Sequence, residues 1–276
     1  VSNSNVSPAQ TSGLPLIALT HQPVTNDPQT LDRHGILDCG IPVIFSHASF
    51  LDSTGARLLR SKNHYISITP ESEAHYGHDN RYSHEIQDQA AFGVDTPFAF
   101  SPDILTQSRM WLQRVRDTRY RRVLDGWEIP NKCPMSTDQA FLMATRHGGL
   151  ALRRPDIGVL SPGAKADLLV FRCDRPNMLG WTDPVAAVML HANIADIEHV
   201  MIDGRWKKRD GQLVLKQGSL VEVQKRFRAS AERLQKILEG IPPPELQGRF
   251  FGMSKYKNPE SVEFPQKRDI GSRRHT

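Results

Sequence analysis

Several features are missing from this 276-residue sequence, and each absence excludes something. No apolar run is long enough to cross a bilayer as a helix. Residues 1–13 (VSNSNVSPAQTSG) have neither a basic start nor an apolar centre, so no signal peptide is read and a cytoplasmic location is expected. The three cysteines, Cys39, Cys133 and Cys173, are odd in number and form no C-x-x-C pair. That excludes a disulfide framework and a cysteine zinc site, and leaves reduced thiols. His75, His78 and His84, with Glu71 and Asp79, do not take the H-E-x-x-H spacing of a helical metal site, so no separate metal cluster is expected there. Acidic balance is also missing, with 35 Lys and Arg against 30 Asp and Glu. Much of the excess sits at the C-terminal end, where residues 241–276 hold seven basic and four acidic side chains. A second basic run, Arg109 to Arg122 (RMWLQRVRDTRYRR), reads as an amphipathic surface helix with solvated arginines, so no nucleic-acid partner is expected.

What is present is an alternation. Leu14–Leu19 is a short apolar run that ends at Thr20-His21, and Thr30–Leu37 has the pattern of a helix. Ile41–Phe45 (IPVIF) reads as a buried strand ending at Ser46-His47; Ser53–Lys62 is helical, and Tyr65–Thr69 (YISIT) is a third strand running into Pro70. A helical stretch around Ile86–Phe92 leads to a fourth strand end at Gly93-Val94-Asp95, and Asp103–Arg122 forms the longest helix. Strand, helix and short connection in repetition predict a parallel sheet with right-handed crossovers. In such sheets the side chains at the C-terminal strand ends converge, and His21, His47, Thr69 and Asp95 all hold that position. Imidazoles and a carboxylate suit zinc, which in catalytic sites keeps a place for water. The competing readings are a hydrogen-bonded core or loop histidine at His21 and a helix N-cap at Asp95.

Beyond the helices, Asp156–Phe171 (DIGVLSPGAKADLLVF) reads as a hairpin. Ile157, Val159 and Leu160 form one strand, Pro162-Gly163 a type II turn, and Leu168–Phe171 the return. A second strand–turn–strand unit spans His199–Val214, with turn signals at Gly204-Arg205 and Asp210-Gly211. Residues 216–239 continue as an amphipathic helix, and Pro242–Pro244 open a flexible basic tail.

The order of these segments, with Phe141–Leu152 before the first hairpin and Asp183-Pro184-Val185-Ala186-Ala187 before the second, resembles the amidohydrolase superfamily in its cytosine deaminase and chlorohydrolase-like branch. The resemblance spans about residues 31–215. It implies an α/β fold, the C-terminal half of a (β/α)8 TIM-type barrel with a small β-sandwich-like subdomain. The expected division is a disordered stretch 1–13, partial barrel 14–152, β subdomain 153–215, and C-terminal helix and tail 216–276. Four strands against the eight of a closed barrel, and Val1 in place of Met, make a fragment the expectation.

The resemblance also implies roles. His21 and Asp95 would be metal ligands, with Asp95 also general base; His47, in FSHAS, would orient substrate and stabilise the attacked group; Glu73, in TPESE, would contact substrate. The implied cofactor is a divalent metal, zinc by preference, and the implied activity is hydrolysis of non-peptide C–N bonds in a small molecule. Two features depart from the family. No H-x-H occurs among the eleven histidines, so the first-strand ligands are missing, and Val24 stands where deaminases carry a proton-shuttling glutamate. Weak zinc binding and no turnover by this chain alone are therefore expected, with amide-type hydrolysis or another metal-assisted reaction favoured over deamination. The alternative is a non-catalytic interaction module whose open sheet edge or basic tail meets a partner, a second copy included.

Overall fold

The computed structural model describes residues 18–21, 27–78, 83–243, 245, 247–250 and 254–262. Two compact units divide between Arg226 and Phe227. The first begins with four strands, each followed by helical structure. β1 (Ala18–His21) leads to α1 (Pro28–Arg33), β2 (Val43–Ser46) to α2 (Ser53–Ser61), and β3 (Tyr65–Ile68) to α3 (Pro70–His75). A kinked 3-10 segment, Ser83–Gln89, then feeds β4 (Ala90–Phe92), and α4 (Ile104–Leu124) follows. The four strands form one parallel sheet in the order β1-β2-β3-β4. β2 is buried over Val43, Ile44 and Phe45 because both faces of the sheet are covered: Val43 and Phe45 join the main core with Leu59 and Trp111, and Ile44 packs with Tyr65 and Ala151.

Asp52 and Asp103 start two helices that pack into the core, each accepting a backbone N–H three residues on, from Gly55 at 2.6 Å and Thr106 at 2.8 Å. Trp111 and Leu112 of α4 pack with Phe45, Leu59, Ile66 and Ile68 in the main core cluster. The arginines of α4 are less solvated than the sequence suggests. Arg109 donates to the carbonyls of Met189 and Ala192, Arg114 to that of His78, and Arg116 to that of Met135. Half of the run's six arginines thus clamp backbone carbonyls, while Arg121 pairs with Asp117 on the exposed side.

One buried histidine supports the sheet from its other end. His64 receives the N–H of Val43 on Nδ1 (3.1 Å) and donates from Nε2 to the carbonyl of Leu37 (3.0 Å), which fixes a neutral tautomer. Burial accordingly pushes its pKa below the usual value.

Two local expectations fail for identifiable reasons. The stretch around Ile86–Phe92 is not a helix into Gly93; its last three residues are β4, because Ala90–Phe92 pair with Ile66–Ile68. Alanine's helix preference yields to the sheet partner. The first hairpin is not formed either. Pro162-Gly163 does turn, with Gly163 at φ 84° and Ala164 N–H bonded to Ser161, but residues 157–160 are not a strand. After α5 (Thr137–Ala144) and α6 (Arg146–Ala151), this segment folds back on the helices instead. Arg146 donates to the carbonyls of Pro155 and Ile157, and Gly149 permits that approach, since a Cβ there would lie 2.6 Å from the Ile157 oxygen.

β5 (Leu168–Phe171) pairs instead with a later strand. Past α7 (Pro184–Ala186), which Asp183 caps and which runs on as a π turn, come β6 (Ile197–Ile202), β7 (Arg205–Arg209) and β8 (Gln212–Leu213), making an antiparallel sheet β5-β6-β7-β8. Asp203-Gly204 and Asp210-Gly211 both take two successive positive φ values, the type I′ geometry that suits a twisted hairpin. α8 (Leu220–Glu239) has no buried residue, and β9 (Arg249–Phe250) pairs with β10 (Ser254–Lys255).

Candidate active site

The C-terminal edge of the parallel sheet gathers the residues singled out by sequence. His21 ends β1 and sits in register with Ser46, one residue before His47; its side chain lies outside what is described, as do Val24 and Asp79. Immediately after β2, His47 and Ala48 take positive φ (67° and 50°), a conformation unfavourable for non-glycine residues. It is held by the His47 N–H on the Ser67 carbonyl (2.7 Å) and by the complete burial of Ala48. Asp95, three residues past β4, also has positive φ (58°) and an exposed side chain. It caps no helix among the described residues, since Asp103 caps α4.

Glu73 occupies the floor of this edge. Its residue has no exposed surface, and Oε1 accepts from the Thr69 N–H (2.9 Å) and lies 3.3 Å from both the Thr69 hydroxyl and His47 Nδ1. His47 Nδ1 is also 2.9 Å from the Thr69 hydroxyl, which meets Ser72 at 2.9 Å. Pro70 makes this possible by starting α3 directly after Thr69, so the first helical turn carries Glu73 back under the strand end. Gly93 completes the fit, because a Cβ there would approach Thr69 Cγ2 to 3.1 Å.

His78 stands beside this group. Its Nδ1 is 3.1 Å from the Ser49 hydroxyl, and its ring meets that of His47 edge-on at 5.7 Å between centroids. The two histidines are pushed apart in basicity. The hydrogen bond to Glu73 raises the pKa of His47 against the effect of burial, with further support from the charges of Glu73 and Asp95. Burial and then the charge of His47 lower that of His78. Oppositely tuned neighbours are a mark of sites built for proton handling. Next to them, Pro70, Ala74, Gly77, His78, Met110 and Arg114 line a mostly apolar pocket of ≈ 530 Å³.

The Ser49–His78 contact was not legible in sequence, because 29 residues separate the partners and no local spacing links them. Glu71 is occupied elsewhere, accepting from Ser101 and Gln107. Among the described residues, no three His, Cys, Asp or Glu side chains come together to hold a metal ion.

Residues 35–207 match the profile of the amidohydrolase family. A 5-methylthioadenosine/S-adenosylhomocysteine deaminase of Pelotomaculum thermopropionicum is 29% identical over 199 residues, 71% of this chain and 44% of that protein. A 5′-deoxyadenosine deaminase of Methanothermobacter thermautotrophicus is 37% identical over 113 residues, 41% of this chain and 26% of that protein. Among solved structures, an adenosine deaminase of Xanthomonas campestris with bound zinc superposes with a TM-score of 0.66 at 16% identity, covering 80% of this chain and 51% of the other. An atrazine chlorohydrolase of Arthrobacter aurescens complexed with zinc gives 0.61 at 19%, covering 78% and 48%. The chain spans about half the length, or less, of the proteins it matches.

Proposed function

The chain belongs to the amidohydrolase family, and from that premise we propose that it is the C-terminal half of a (β/α)8-barrel hydrolase with an attached β subdomain, cleaving non-peptide C–N bonds of a small molecule. The observation that carries this reading is the convergence of His47, Thr69 with Glu73, and Asp95 on the C-terminal edge of adjacent parallel strands, the edge where such folds build their chemistry. His47 acts as a hydrogen-bonding and electrostatic group toward the attacked atom, and Glu73, buried beneath it, bears on the substrate through His47. Asp95, exposed at the edge, is the general base: it takes the proton of the attacking water and returns it to the leaving nitrogen.

A divalent cation, as zinc is in the two solved neighbours, would supply the activated water, and His21 and Asp95 are the residues of this chain assigned to it. Two protein ligands fall short of the three usual for catalytic zinc, so the described residues do not make a complete site. The named relatives point to deamination, whereas Val24 provides no proton shuttle; C–N hydrolysis is the level at which both agree.

Zinc content after dialysis tests the reading, for the native chain and for Asp95→Asn. Weak retention that falls further in the variant is expected, with no turnover from the native chain alone. Equal retention in both would remove Asp95 from the site and the reading with it.

A second reading rests on the sheet edges. Among the described residues β1 and β4 each pair with one neighbour only, which leaves backbone groups suited to docking another chain, so a non-catalytic interaction role is the alternative. Size-exclusion chromatography separates the two, since a monomer at all concentrations argues against self-association.

A further inference from the structure

We infer that Glu73 is a positioning residue, which grips the imidazole of His47 on its Nδ1 side and thereby commits Nε2 to the substrate. The inference rests on the reading of His47 as a substrate-facing group. The geometry behind it is specific. An ionised carboxylate only accepts hydrogen bonds, and Glu73 Oε1 already accepts from the Thr69 N–H at 2.9 Å. A ring nitrogen 3.3 Å from that oxygen bonds to it only by carrying the proton, and the Thr69 hydroxyl, 2.9 Å from the ring and donating to the same oxygen, is then free to accept from the ring. The neutral ring is then the Nδ1–H tautomer, with Nε2 as its acceptor; the charged ring adds an Nε2–H donor without turning.

Three further features fit a support rather than a contact with substrate. The Glu73 residue has no exposed surface, so it reaches a ligand only through its neighbours. Its second oxygen, Oε2, is buried with no hydrogen-bond partner, which leaves the carboxylate dependent on Thr69 and His47. Thr69, its other partner, is the residue between β3 and α3, so the grip is anchored on the backbone of the strand end itself. The raised basicity of His47 runs the same way, with the hydrogen bond to Glu73 as its largest cause. Metal-bound histidines are commonly oriented by such an outer carboxylate; here the same device holds a histidine assigned to substrate.

The test is long-range 1H–15N correlation spectroscopy of the imidazoles in the full chain, at a pH where the His47 ring is neutral, with its signals identified by their loss in His47→Gln. The native chain is expected to show a protonated Nδ1 and an unprotonated Nε2. Glu73→Gln, nearly the same shape without the charge, is expected to exchange the Nδ1 proton roughly tenfold faster, or to populate both tautomers, as a charge-assisted bond becomes a neutral one. An Nε2–H ring in the native chain, or a His47 spectrum unchanged in Glu73→Gln, overturns the inference. If the variant does not fold, the native tautomer alone decides. Zinc retention that ignores Asp95 would sink the hydrolase reading while leaving these signals as they are, so the two fail separately.

Discussion

The two sheets of the first unit show opposite ways of specifying strands. In the parallel sheet, Phe45, Ile66 and Ile68 have no exposed surface, and the strands are fixed by what packs over them. In the antiparallel sheet, Leu169 and Val170 are 55% and 44% exposed, and the strands are fixed by two Asp-Gly turns that set register locally. The difference teaches where function can be built. The packed sheet can hold His47, Ala48 and Asp95 in unfavourable backbone conformations, whereas the exposed sheet spends its positive φ values on its own turns.

The sharpest way to break the comparison is Phe45→Ala, expected to cost about 3–5 kcal/mol in urea unfolding, since it opens a cavity under β2. A loss below about 1 kcal/mol would mean that the core does not specify the sheet. Acid comes next, and acts through the packed region. Burial holds His84 down to about 4, with the charges of Arg119 and Arg122 adding to the effect, and burial lowers His64 in the same direction. For such groups the unfolded chain takes up protons first. Stability from them is complete above about pH 6.5 and drains away as pH falls toward 4, by about 2 kcal/mol for His84 after allowance for solvent screening. His47 has the opposite sign: its raised pKa contributes fully below about 6.5 and is lost as pH rises through the raised value. Denaturant midpoints across this range should rise from pH 4 to 6.5, and a flat profile would show that the buried histidines are solvated.

Smaller effects belong to the exposed sheet. Gly204→Ala forces a side chain into φ 72° and should cost about 1 kcal/mol, read as faster hydrogen exchange at the β6 and β7 amides. Leu169→Ala should change the unfolding free energy in urea by less than about 0.5 kcal/mol, the ordinary range for surface positions. If it matched Phe45→Ala, β5 would have a cover that its exposure does not reveal.

Legibility followed the same division. β2 and β3 were readable because Val43–Phe45 and Tyr65–Ile68 are dense in β-branched and aromatic residues and stop at helix-starting or turn residues. The Asp210-Gly211 turn was readable because its conformation is a property of two adjacent residues, whereas the turn expected at Gly204-Arg205 falls one residue earlier, at Asp203-Gly204, and Arg205 opens β7. The apolar residues Ile157, Val159 and Leu160 have a strand's composition and form none, since periodicity does not say whether apolar residues meet a strand or the end of a helix. The true partner of β5 is some 30 residues further on. At the site, the place of His47 just past β2 followed from the alternation of elements; Asp95 follows the fourth strand as expected, but β4 ends at Phe92 and not at Gly93-Val94-Asp95. The grip of Glu73 on His47 did not follow from that alternation, because it depends on Pro70 turning α3 back beneath the strand.

The sequence by itself determined the family, the parallel α/β order and which strand ends carry histidine and aspartate, because these depend on residue type and near-neighbour pattern. Tertiary structure alone decided that β5 pairs with β6, that Glu73 lies beneath His47, and that Ser49 meets His78. Each is a contact between residues 26 or more apart, fixed only once the strands are packed and in register.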